Sequence, residues 1–287
     1  MPLDVGARVL WAVAALHAVV AAGWLIALFT NGPTITGVPY ALKPLKFAIS
    51  IAVFLATLAI LLPLLRLSQP ISLAIASVLA GTMLIEMICI GLQAARGTTS
   101  HFNSATPFDA ALWQLMVGAI VIATVTMVLV AFIASFRSLG PAGGEPLSPI
   151  MAAAWRIGLW LFLLAAVTGF GMGGRLQHSV QGIDGGEGLA FVNWSVRHGD
   201  LRVAHFFALH ALQALPIAAF AVERVSTEPL TRAVLFGLAA TAMLAVCGFT
   251  YVQALRGRPV ISATEAAVQV AERDPRKPAN TAPARNE

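Results

Sequence analysis

The stretch Leu201–Leu215, LRVAHFFALHALQAL, sets Arg202, His205, His210 and Gln213 into an otherwise apolar run. At helical spacing these four side chains fall within an arc of roughly 140°. Polar groups on one side of an apolar helix must face protein or water, because lipid does not solvate them. Imidazole, guanidinium and amide groups on one face suit proton transfer, anion binding or metal ligation. His205 and His210 are five apart and diverge by about 140°. They do not form a same-face chelate.

Further along the chain, His17 and Glu86 also interrupt apolar runs. With His210 they lie at depths agreeing to about one helical turn. Two histidines and a carboxylate are a workable first shell for a divalent metal such as iron or zinc. His17 and His210 on facing helices are also the ingredients of bis-histidine ligation of haem b. Glu86 shares its helical face with Thr82 and Gln93.

A second set sits in the connections between apolar runs. Ser100-His101-Phe102-Asn103 and Thr106-Pro107-Phe108-Asp109 bracket one of them; His178, His198 and Asp200 occupy another. His101, Asp109, His198 and His205 are the ingredients of acid–base or zinc-hydrolase chemistry. The competing reading makes Thr106, Asp109 and Asp200 helix caps. A third set is cationic: Lys43, Lys46, Arg96, Arg175 and Arg202, with the amides of Gln93, Gln213 and Gln253 alongside. Together they suit an anionic small molecule or a lipid headgroup; the plain alternative is side chains reaching for the membrane surface. Gly169, Gly171, Gly173 and Gly174 lack the lysine context of a phosphate loop and read as close helix packing.

The elements that must position these groups are membrane helices. Of 287 residues 58% are hydrophobic and 11% charged, and mean hydropathy is +0.82. A soluble domain carries about 25% charged residues. Net charge is +5, scattered between apolar runs without aromatic interleaving, which excludes a nucleic-acid partner. The two cysteines, Cys89 and Cys247, both lie in apolar runs and offer no disulfide framework. Seven segments approach the length of about 20 apolar residues that a bilayer needs: Val9–Phe29, Phe47–Leu65, Ile71–Leu92, Ala110–Phe136, Ala152–Met172, Val203–Val222 and Ala233–Leu255. The first is too long for the hydrophobic part of a signal peptide and is expected to be retained.

The fold class is therefore all-α: a polytopic bundle of seven transmembrane helices over residues 1–260, followed by a polar, disordered tail over 261–287. Seven spans put the termini on opposite faces, here side A for the N-terminus and side B for the C-terminus. The long connections, rich in His, Gly and aromatic residues, all fall on side B and read as a packed lid. Side B also carries more Lys and Arg, which places the C-terminus in the cytoplasm of a bacterial inner membrane by the positive-inside rule.

Ala80–Gly97 and Ala240–Gly257 align at one constant offset, matching Ala80/Ala240, Met83/Met243, Leu84/Leu244, Gln93/Gln253, Ala94/Ala254, Arg96/Arg256 and Gly97/Gly257. This predicts parallel repeat units over about 8–97 and 152–257, joined by a linker helix over 110–136. The resulting expectation is a membrane enzyme or redox protein that uses a metal or haem in a pocket open to side B. A proton-coupled solute transporter with a midplane Glu86/His17/His210 site is the alternative, and a sensor or assembly protein without turnover a further one. A retinal protein is excluded, since no lysine lies between Ala233 and Leu255.

Overall fold

A computed structural model describes residues 4–263. It has seven helices: α1 (Val5–Ala27), α2 (Leu42–Leu64), α3 (Gln69–Ala95), α4 (Pro107–Phe136), α5 (Pro149–Arg175), α6 (Leu201–Val225) and α7 (Pro229–Leu255). All seven are long and apolar enough to cross a membrane. The chain is an integral membrane protein of the all-α class. The expectation for the tail falls mostly on residues 264–287, outside the described ones.

The helices start earlier than hydropathy alone places them, because the start signals lie outside the apolar runs. Asp4, Thr106, Ser148 and Asp200 each accept a backbone N–H of the first turn. Proline opens α3, α4, α5 and α7, where its missing N–H costs nothing. The early start of α2 matters most: Lys43 and Lys46 stand on its first turns, in the helix and not in the preceding connection.

Helices α1, α2 and α3 pack on one another, as do α5, α6 and α7, and α4 bridges α3 and α5. The two groups are not packed alike. α3 leans chiefly on α1, whereas α7 leans chiefly on α6. The largest apolar cluster, including Leu55, Leu58, Leu61, Leu65, Leu79, Met127 and Leu139, lies mainly within the side A half of the bundle.

Side A is knitted shut over that cluster by arginines bonded to backbone carbonyls. Arg66 donates to the carbonyls of Gly140 and Gly144, Arg137 to that of Arg66, and Arg156 to those of Ala134 and Arg137. Ser148 donates to Glu223, and Ser72 to Asp4.

Side B carries two short antiparallel hairpins, β1 (Thr34–Ile35) with β2 (Val38–Pro39), and β3 (Ser179–Val180) with β4 (Gly199–Asp200). The connection between α5 and α6 folds down between these last two strands. Lys46 Nζ on α2 donates to the Val192 carbonyl at 3.0 Å, and Arg202 Nη2 on α6 to that of Asn193 at 2.6 Å. Trp194 stacks edge-on to Phe206. The loop expected to be a lid is thus tied to both three-helix groups.

Candidate functional site

Beneath that loop the chain gathers side chains from five segments. Lys43 comes from α2, Glu86 from α3, His101 from the α3–α4 connection, His178 and Asp184 from the α5–α6 loop, and Arg202 and His205 from α6. Their mutual electrostatic reach shows the clustering: His101 feels the charges of Lys43, His178 and His205, and His178 those of Arg202, Asp184 and Lys43. Glu86 and Lys43 also act on each other.

Three imidazoles are each held by Nδ1. His178 Nδ1 bonds the Asp184 carboxylate at 2.7 Å, and His205 Nδ1 bonds the Ala165 carbonyl at 2.8 Å with Thr168 Oγ1 at 3.1 Å. Carboxylate and carbonyl oxygens only accept, so in both rings Nδ1 carries the proton and a neutral Nε2 presents its lone pair. His101 Nδ1 shares a hydrogen bond of 3.1 Å with Ser100 Oγ. Its ring is boxed by Phe47, Phe102 and Trp113 at centroid distances of 5.5, 6.0 and 5.4 Å. Gly169 lets the His205 ring lie on α5: a Cβ there would stand 3.2 Å from His205 Cε1.

Burial holds the His101 pKa well below the usual imidazole value, and the neighbouring Lys43, His178 and His205 charges add to this. His178 is likewise lowered by burial, against the opposing hydrogen bond from Asp184. Burial alone would raise Asp184, but hydrogen bonds from the His178 ring and from the His178 and Ser179 N–H groups bring it below the usual carboxylate range. Both loop imidazoles are therefore neutral bases near neutral pH.

The cations here lack carboxylates. Lys43 forms no ion pair or hydrogen bond among the described residues and only approaches the Phe47 ring, at 5.8 Å. Lys46 is satisfied by a carbonyl alone. Arg202 differs, since it is locked to Asp200, which also caps α6.

Other candidate residues fall elsewhere. Asp109 is a tied-off structural group: Gln93 at 2.8 Å, Arg96 at 2.5 Å and Thr106 at 2.7 Å all donate to it. The cap of α4 is Thr106, whose hydroxyl accepts the Asp109 N–H. His198 lies on the outer side of the loop, its backbone N–H on Ser195 and its ring against Gly182. Arg175 is exposed at the end of α5 and makes no side-chain bond among the described residues.

Deeper in the bundle, His17 donates from Nδ1 to the Val13 carbonyl and leaves Nε2 buried without a partner. Glu86 Oε1 is orphaned in the same way. α1 and α3 pass in parallel, with Gly6 against Ser72 and Trp24 against Gly91, so His17 stands about one turn from the level of Glu86. His210 packs on Phe206 at 4.4 Å, and Gln213 donates to Thr57 on α2 at 3.0 Å. Among the described residues no three His, Cys, Asp or Glu side chains are gathered so as to hold a metal ion. Sequence reasoning left His178 unassigned and passed over Asp184 and Thr168. Their pairings join residues whose spacing carries no recognisable pattern.

Comparison of the chain with protein-family models, curated proteins and solved structures finds no match.

Proposed function

We propose that the chain is a membrane enzyme that draws an anionic small molecule or lipid headgroup in from side B and carries out a proton transfer on it. The observation behind this reading is the joint presence of a half-buried Lys43 without an ion pair among the described residues and three imidazoles anchored through Nδ1. A cation partly withdrawn from water without a counter-ion carries a desolvation cost, and an arriving anion offsets it. Lys43 and Lys46 hold the anion, with Arg202 kept in place beside them by Asp200. The neutral Nε2 of His178 takes a proton from the bound molecule, and Asp184 stabilises the imidazolium that forms. Glu86, orphaned behind Lys43, is the group to pass that proton inward. The knitted side A favours a one-sided site over an alternating carrier, which needs a gate on each face.

The test is turnover. Detergent-purified protein is incubated with a panel of carboxylic acids, phosphate esters and a membrane lipid extract, and the products are read by mass spectrometry. A product that vanishes in His178→Gln, with a rate that falls in acid as Nε2 becomes protonated, supports the reading. Turnover indifferent to His178 refutes it.

A second reading follows from the same Nδ1 bonds. A histidine that ligates a metal through Nε2 is usually oriented by a carboxylate or carbonyl at its other nitrogen, as His178 and His205 are. Metal analysis and a visible spectrum of the same preparation check it. Metal that stays stoichiometric in His178→Gln and His205→Gln is held elsewhere. A Soret band that persists in His17→Ala and His210→Ala rules those two out as haem ligands.

A further inference from the structure

The ends of α3 and α7 are the same piece of backbone used twice. Arg96 and Arg256 have φ, ψ of −80°, −2° and −80°, 5°. Gly97 and Gly257 follow, both at φ 71°, a left-handed conformation that glycine adopts without strain. Thr98 N–H then closes on the Gln93 carbonyl at 3.0 Å, and Arg258 N–H on the Gln253 carbonyl at 3.2 Å.

The side chains differ. At α3, Gln93 Oε1 accepts from Arg96 Nη1 at 2.5 Å, Gln93 Nε2 and Arg96 both donate to Asp109, and Phe108 covers the guanidinium at 4.7 Å. At α7 no described carboxylate occupies the place of Asp109. Gln253 Nε2 donates to the Pro259 carbonyl, while Gln253 Oε1 is buried and accepts nothing. The Arg256 and Arg258 side chains make no ion pair or hydrogen bond among the described residues. Beside them is a recess of about 140 Å³ lined by Phe249, Val252, Gln253, Arg256 and Arg258. Arginines that merely reach for the membrane surface would leave no orphaned acceptor three residues earlier.

We propose that this recess binds a phosphate anion in place of the missing carboxylate, and that its source is the phosphodiester of an anionic lipid headgroup. On binding, Arg256 folds onto Gln253 Oε1 as Arg96 folds onto Gln93, and turns its remaining N–H groups, with those of Arg258, toward the phosphate. The exposed faces of Phe249 and Val252, on the lipid side of α7, lie where the acyl chains would run. The C-terminal dipole of α7 opposes an anion weakly, and two guanidinium groups outweigh it.

The experiment is native mass spectrometry of the full chain released from bilayers of phosphatidylcholine with phosphatidylglycerol, comparing wild type, Arg256→Gln, Arg258→Gln and the control Arg175→Gln. The expected result is a phosphatidylglycerol adduct that weakens about ten-fold in each of the first two variants, near 1.4 kcal/mol, and is unchanged in the control. An equal loss in Arg175→Gln would mean general surface charge and overturns the site. Displacement of the lipid by millimolar inorganic phosphate reassigns the site to free phosphate and overturns the lipid source. A chain that takes up lipid only after truncation following Ala263 has its own tail in the recess, which also overturns the proposal.

Discussion

The two membrane faces of this protein treat charge in opposite ways. On side A, Arg66, Arg137 and Arg156 are each spent on backbone carbonyls of neighbouring connections, and little is left for a ligand. On side B the charged groups divide in two. Asp109 with Arg96, and Asp200 with Arg202, are fully bonded and hold helix starts in place. Glu86 Oε1 is buried without a partner, and the half-buried Lys43 and the Nε2 atoms of His101, His178 and His205 make no hydrogen bond or ion pair among the described residues. Satisfied polar groups serve folding, whereas enclosed unsatisfied ones reduce stability and are retained where they serve function. The contrast separates residues of the same chemical type lying a few residues apart.

Mutations should reproduce this division. The largest loss of stability is expected on side B at Asp200→Ala, which strips a cap and strands both Arg202 and the Ser195 N–H. It should cost about 3–5 kcal/mol, read as a fall in melting temperature in detergent. If the protein tolerates it without change, the division between bonded and unbonded groups fails. On side A, Arg66→Ala removes two charge-assisted bonds to carbonyls. It should cost about 1–2 kcal/mol and leave ligand affinity alone; a loss of binding would show that side A is coupled to the site.

The pH dependence distinguishes the faces further. His101 and His178 bind protons less readily in the fold than in the open chain. The unfolded state therefore holds more protons at and below the usual imidazole value of about 6.5, and stability declines as pH falls through it. His178→Gln should flatten that acid limb of the melting curve, and an unchanged limb would contradict the buried, neutral imidazole. The smallest effect is expected at Gly169→Ala. Its new methyl stands within 3.2 Å of the His205 ring, so turnover should fall about ten-fold, or about 1.4 kcal/mol of barrier, with little change in melting temperature.

Much of the framework was legible in the sequence. The apolar runs gave seven spans, and the Ser/Thr/Asp-plus-proline starts explain why the helices begin before those runs do. The crowding of His and Arg into side B connections was visible in the sequence, and His101 and His205 do lie near each other there. Pairings set by tertiary contact were not legible. His178 finds Asp184 six residues away only because the loop folds back past Gln181, which takes a left-handed φ of 61°. Asp109 looked like a catalytic acid by residue type; its Gln93 and Arg96 partners come from another helix. The matching Gln-Ala-x-Arg-Gly endings of α3 and α7 were visible in the sequence, yet the difference between them lies in a carboxylate brought in by α4.

Lys43→Met is the most direct test of the central claim, with melting temperature and anion affinity measured on the same preparation. An unpaired enclosed cation kept for ligand binding predicts that melting temperature holds or rises while affinity for the anionic ligand falls by about 100-fold or more, roughly 2.7 kcal/mol. A variant that melts markedly earlier and still binds the anion like wild type would place Lys43 among the structural charges and contradict the account.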